Sequence, residues 1–184
     1  MGRPWRKKSS EYLADYPVFK LRKDVCVSPR TGRDMSVYVL ESREWTNIIP
    51  LTPDEQVVMV RQYRFGTEEV TLEIPGGLID RQDGSYLEAS RREMREETGY
   101  DTEMILPLGV VRPNPAILNN RCHIFLAQNV VKLHEQDLDA GEDIRVELVP
   151  LAEIPRLIVE GTINHSLVLN AFYLFDMHRR RGTV

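Results

Sequence analysis

Gly76-Gly77-Leu78-Ile79-Asp80-Arg81-Gln82-Asp83-Gly84-Ser85-Tyr86-Leu87-Glu88-Ala89-Ser90-Arg91-Arg92-Glu93-Met94-Arg95-Glu96-Glu97-Thr98-Gly99-Tyr100 reads as loop, helix, loop. The two glycines follow Pro75 and end a strand-like run, Thr71–Ile74. Ser85 with Glu88 three residues on forms a capping box, so the helix is expected to begin there. Gly99 stands where a left-handed residue would stop it. Between those ends, Glu93, Glu96 and Glu97 are spaced i, i+3, i+4, which gathers three carboxylates on one helical face. Such like charges repel, and Arg92 and Arg95 offset only part of that cost. A solvated acidic helix is one reading. A set of hard oxygen ligands for Mg²⁺ or Mn²⁺, beside a turn that exposes backbone carbonyls, is the other.

Composition narrows the setting. The chain has 184 residues, 42% apolar and 28% charged, ordinary for one soluble globular domain with a small extension. A net charge of −4 argues against a nucleic-acid partner. No apolar run is long enough to span a bilayer, so no membrane role is expected. Cys26 and Cys122 read as free thiols. The basic segment Met1–Lys8 lacks an apolar core and is no secretory signal, which makes a cytoplasmic location the default.

Outward from the central stretch, strands alternate with turns. Residues 1–16 read as a loose arm carrying Trp5, Tyr12 and Tyr16. Such aromatics could stack on a flat ring, or pack on the domain surface or across a dimer interface. Val18–Ser28 and Met35–Glu41 alternate apolar and polar around the turn Pro29-Arg30-Thr31-Gly32, predicting a hairpin within 17–44. Trp45–Leu51 and Gln56–Tyr63 are two more strands, and the run Val57-Val58-Met59-Val60 marks the second as central. It runs into Arg61-Gln62-Tyr63-Arg64. A guanidinium fork suits phosphate oxygens, and phosphate contact is favoured for Arg64 over an ion pair with Glu68, Glu69 or Glu73, with Arg61 a second candidate. Leu106–Val111 and Arg121–Ala127 are further strands around the irregular loop Arg112–Asn120. His123 reads as a packed strand residue. Val131–Glu142 reads as an acidic loop, solvated linker or ligand source. Ile144–Leu151 is a strand, Leu151–Glu160 a short helix stopped by Gly161, and a last helix opens at Asn164 or Ser166 and runs to about His178.

The central stretch resembles the Nudix box. Its second half matches at Arg92, Glu93, Met94, Glu96, Glu97, Gly99 and Tyr100. Its first half departs: the Asp80–Gly84 turn carries one extra residue, and Asp83 stands in for the first box glutamate. Arg-Gln-Tyr-Arg at 61–64, Leu-Glu-Ile-Pro-Gly-Gly at 72–77, Glu-Asp-Ile-Arg-Val at 142–146 and Gly-Thr-Ile-Asn at 161–164 extend the likeness over roughly 17–178. Together they resemble the ADP-ribose pyrophosphatase and nucleoside-diphosphate-sugar hydrolase branch.

That resemblance implies an α/β/α sandwich around a mixed sheet, as residues 45–184. Residues 1–44 would add an N-terminal antiparallel sheet that helps form a homodimer. It implies Mg²⁺- or Mn²⁺-dependent hydrolysis of the diphosphate bond of a nucleoside diphosphate sugar, such as ADP-ribose, ADP-glucose or GDP-mannose. Glu93, Glu97 and the Gly76 carbonyl would be metal ligands, with Glu96 a ligand or its partner. Arg92 would orient a glutamate, Glu142 would be a ligand or general base, and Arg64 would hold phosphate. A non-catalytic nucleotide-sugar sensor on the same fold, or a hydrolase of other nucleoside diphosphate derivatives, of triphosphates or of capped RNA, are the alternatives.

Overall fold

The structure, a computed structural model, describes residues 2–184. They form two compact units. One holds the chain up to Arg43 together with Arg112–Arg121, and the other holds Glu44–Val111 and Cys122–Val184.

The first unit is a three-stranded antiparallel sheet of β1 (Arg6–Asp15), β2 (Phe19–Val27) and β3 (Asp34–Ser42), in that order. β2 and β3 make the expected hairpin, in register from Phe19↔Ser42 to Val27↔Asp34. The arm expected to be loose is instead β1, paired with β2 from Arg6↔Val27 to Asp15↔Lys20. Polar and charged pairs hold it rather than an apolar face, which is why hydropathy alternation does not show it. Ser10 donates to Asp24 at 2.6 Å, Lys8 to Asp34 at 2.6 Å and Tyr12 to Glu41 at 2.8 Å. Asp24, nearly buried, also takes the Arg22 fork at 2.8 and 2.9 Å. The loop 112–121 joins this unit by a Leu40↔Leu118 bridge and a Leu40 N–H bond to the Ile117 carbonyl.

The second unit is built on a seven-stranded mixed sheet. Its strands are β4 (Trp45–Leu51), β5 (Gln56–Arg64), β6 (Glu69–Glu73), β7 (Gly76–Leu78), β9 (Ile105–Val111), β10 (Cys122–Gln128) and β12 (Arg145–Pro150). β10 runs parallel to β4, and the other pairings are antiparallel. β8 (Tyr100–Asp101) and β11 (Val131–Lys132) form a small separate ladder, so the loop expected over Val131–Glu142 begins with two strand residues.

Both faces of this sheet are covered. Ile49, Val57, Met59, Ile124 and Leu126 pack toward Val168, Ala171, Phe172 and Phe175 of α3 (Ser166–Arg180). Their neighbours Ile48, Val58, Phe125 and Ala127 pack toward Met94 of α1 (Tyr86–Thr98). A strand buried on both sides has no polar face to show, which explains the unbroken run Val57-Val58-Met59-Val60, all fully buried. Cys122 lies in this core, and burial pushes its thiol up to about 12. α2 (Ile154–Val159), after a 3₁₀ turn at Leu151–Glu153, completes the unit. The architecture is the expected α/β/α sandwich with an N-terminal antiparallel sheet.

The feature that builds the site is a split in the sheet. β4 and β5 touch at Leu51↔Val57 and then part. β6 lines the freed edge of β5, and β7 lines that of β4. Ile48 N–H donates to the Pro75 carbonyl at the crossing between them.

Candidate active site

The helix begins and ends where its caps dictate. Ser85 is extended (φ −157°) and accepts the Glu88 N–H at 3.1 Å. Gly99 is left-handed (φ 76°), with its N–H on the Arg95 carbonyl. A side chain there would also meet the His134 carbonyl at 2.1 Å, so glycine is required twice over. The buried stripe of α1 holds Ala89, Ser90, Glu93, Met94, Glu97 and Thr98. Two of those six are carboxylates, and burying a charge costs heavily unless something compensates it.

Gly76 and Gly77 lie directly against those carboxylates. The Gly76 N–H donates to Glu97 at 3.2 Å. A Cβ on Gly77 would come within 2.5 Å of the Glu93 carboxyl group, which would have to leave this position to make room. Burial, then repulsion from Glu96 and Glu142, pushes Glu93 up to about 7 against the pull of Arg92. Glu97 is raised well above the usual carboxylate range by burial, with Glu93 and Glu142 adding repulsion against the Gly76 N–H and Arg64.

Two buried carboxylates that repel each other fit a hard divalent cation, which would offset both the burial and the repulsion. Glu96 stands apart from this pair. It is more than a third exposed, and Arg92 donates to it at 2.8 Å. Among the described residues, no three acidic, imidazole or thiol side chains are drawn together tightly enough to hold an ion. The Gly76 N–H is engaged by Glu97, and the carbonyl expected to serve as a ligand is a separate group that this bond leaves untouched.

Arg92 braces the helix from behind. It forks Asp83 through Nε and Nη2, both at 3.0 Å, and reaches Glu93 at 3.0 Å. The Asp83 carboxylate also accepts the Asp80 N–H at 2.7 Å. Arg92 and that N–H hold Asp83 below the usual carboxylate range, although burial pushes the other way. The extra residue in the turn therefore closes a loop that presents Asp83 to Arg92.

The two strand arginines part company. Arg64 forks Glu73 at 2.8 and 2.7 Å through Nε and Nη2, so an ion pair forms at the arginine for which the sequence favours phosphate contact. Burial would raise Glu73, which is 1% exposed, but the Arg64 fork and the Thr71 hydroxyl outweigh it and hold it low. Guanidinium pairs with carboxylate as readily as with phosphate, and the carboxylate is already on the facing strand. Arg61 lies on the opposite face of β5 and pairs with Glu147 at 2.6 Å, so it does not join Arg64.

Glu142 sits on an exposed loop and accepts the Asp139 N–H at 3.0 Å. It acts on Glu93, Glu97 and Arg64 through its field.

Several residues carry no readable signal in the sequence. His165 Nδ1 lies 3.6 Å from Glu73, buried and without a hydrogen-bond partner. His123 is packed as expected, but it also bonds Glu44 at 2.6 Å and stacks on Tyr86 with ring centroids 3.7 Å apart. On the outer side of α1, Arg92, Arg95, Glu96, His134, Glu135 and Asp137 line a cavity of about 310 Å³.

A family model described as the NUDIX domain matches residues 42–170. The chain is 29% identical over 135 residues to the ADP compounds hydrolase NudE of Escherichia coli, covering 72% of this chain and 70% of that one. It is 29% identical over 113 residues to an ADP-ribose pyrophosphatase of Bacillus subtilis, covering 60% of each chain and so less than two thirds of that relative. It is 27% identical over 134 residues to a GDP-mannose pyrophosphatase of Yersinia enterocolitica, covering 68% of this chain and 69% of that one. A crystal structure of an ADP compounds hydrolase superposes with a TM-score of 0.86 at 23% identity, over 99% of this chain and 98% of that one, and so shares its fold.

Proposed function

The chain belongs to the Nudix family, hydrolases that generally use divalent metal ions, and from that premise we propose that it splits the diphosphate bond of nucleoside diphosphate sugars. The products are a nucleoside monophosphate and a sugar phosphate. The observation that carries this reading is the buried pair Glu93 and Glu97, seated against the backbone of Gly76 and Gly77. The names of its relatives, acting on ADP compounds, ADP-ribose and GDP-mannose, support the substrate class.

Glu93 and Glu97 would hold the cation, with Glu96 at its edge and Mg²⁺ or Mn²⁺ as the ion. A divalent ion bound there supplies charge neutralisation for the diphosphate and lowers the pKa of water. Arg92, backed by Asp83, keeps Glu93 and Glu96 in place. Arg64, held by Glu73 through Nε and Nη2, turns Nη1 to a phosphate oxygen. Glu142 takes the proton from the attacking water as that water adds to phosphorus and the bridging P–O bond breaks.

The assay is direct. Purified protein with Mg²⁺ is given ADP-ribose, ADP-glucose and GDP-mannose, and monophosphate release is measured. Glu142→Gln is expected to slow turnover by about 10²–10⁴; a loss below about tenfold would remove Glu142 from the role of base. No hydrolysis across the panel, or pyrophosphate released from triphosphates instead, would overturn the assigned reaction.

A further inference from the structure

Between β11 and β12 the chain first lies along the C-terminal end of α1. Leu133 and His134 N–H groups both donate to the Gly99 carbonyl at 3.0 Å, and Asp137 N–H donates to the Glu96 carbonyl at 2.9 Å. These bonds occupy carbonyls that a helix end leaves without intrahelical donors.

The Gln136 side chain does something different. Its Nε2 donates to the Glu97 carbonyl at 2.6 Å and to the Ile144 carbonyl at 3.2 Å. Ile144 is buried at the root of β12. One amide therefore joins both ends of segment 137–143 and hangs them on the backbone of Glu97. The segment itself lies at the surface and carries Glu142. Inside it, Glu142 and Asp139 are linked twice, by the Glu142 N–H to the Asp139 carbonyl and by the Asp139 N–H to the Glu142 carboxylate.

We propose that Gln136 is a positioning residue that sets where Glu142 stands relative to Glu97. The proposal rests on the role assigned above to Glu142. The residue type follows from the partners. Two carbonyl oxygens meet at one point, and an amide nitrogen carries two protons to satisfy both. A carboxylate of the same shape would turn an acceptor toward two acceptors. Leu133, His134 and Asp137 anchor only the start of the loop, whereas Gln136 also reaches its far end at Ile144.

Gln136→Glu and Gln136→Ala, alone and combined with Glu142→Gln, test this. Gln136 is a surface residue, so all four proteins should fold. Hydrogen exchange in protein without added metal is the first readout. The Asp139 and Glu142 amides should exchange at least about tenfold faster in either single variant, with the amides in the middle of α1 unchanged. Turnover of ADP-ribose with Mg²⁺ is the second. Loss of Gln136 should lower kcat about tenfold or more with KM little changed, but less than about twofold when Glu142 is already Gln. Unchanged exchange, or the same loss of kcat in both backgrounds, would overturn the proposal. Faster exchange in a protein that hydrolyses no sugar nucleotide would uphold the clasp and sink the assigned reaction.

Discussion

Glu73 and Glu93 are both buried carboxylates, yet their surroundings push them in opposite directions. Glu73 has the Arg64 fork and the Thr71 hydroxyl, and stays charged. Replacing it with Gln leaves a part-buried guanidinium without its counter-charge. Glu73→Gln should cost about 3 kcal/mol, the low end for breaking a buried pair because Arg64 still reaches water, as measured by urea unfolding. Glu93 has burial and neighbouring carboxylates against it, and its folded value of about 7 lies above the ordinary glutamate value of 4.5. A raised acid binds more protons folded than unfolded, so its contribution is full at low pH and falls as pH rises through that window. Without metal, wild-type stability relative to Glu93→Gln should therefore decline between about pH 4.5 and 7, by on the order of 3 kcal/mol. The comparison cancels His165, whose value burial lowers and whose contribution rises with pH. A flat difference across that range would contradict the burial assigned to Glu93.

Elements here are bounded by local chemistry and placed by distant contacts. Ser85 and Gly99 mark the ends of α1 in the sequence, and the helix runs between them. The second constraint on Gly99 is visible only in space, because the His134 carbonyl approaches from a loop 35 residues on. Gly99→Ala combines strain at positive φ with that contact. It should cost more than about 1 kcal/mol and, by displacing the loop that carries Glu142, lower turnover as well. Thermal unfolding and the hydrolysis assay together check this, and an unaltered melting temperature would argue against the close approach. β1 is the opposite case. Its residues carry no apolar alternation, and its pairing comes from partners on β2 and β3.

At the scale of the whole molecule, the N-terminal sheet leaves large apolar side chains uncovered. Tyr12, Met35 and Val37, which the strand register puts on one face, are between 37% and 59% exposed. Sheets need a buried face to be stable, so we propose that a second copy covers this one, as a homodimer. Met35 and Val37 share a face, and replacing both with Glu should shift sedimentation from dimer to monomer. A monomeric wild-type protein at micromolar concentration would remove this assembly. Among the described residues no helix is long and apolar enough to cross a membrane.

The sandwich was implied by the resemblance of its motifs to the Nudix branch, and the sequence by itself determined the caps of α1 and the acidic positions Glu93, Glu96 and Glu97. Those depend on period and on neighbours one helical turn away, which a linear pattern records. It also marked Asp83, by the mismatch in the turn before the helix. Tertiary structure alone decided which charges meet. Arg64 turned to Glu73 and Arg61 to Glu147, because strand pairing brought those carboxylates across. It set Glu93 and Glu97 inside and Glu96 outside, since only the packed face of a helix is taken out of water. It also brought Gln136 to two carbonyls from separate elements, a meeting of backbone atoms that no side-chain pattern encodes.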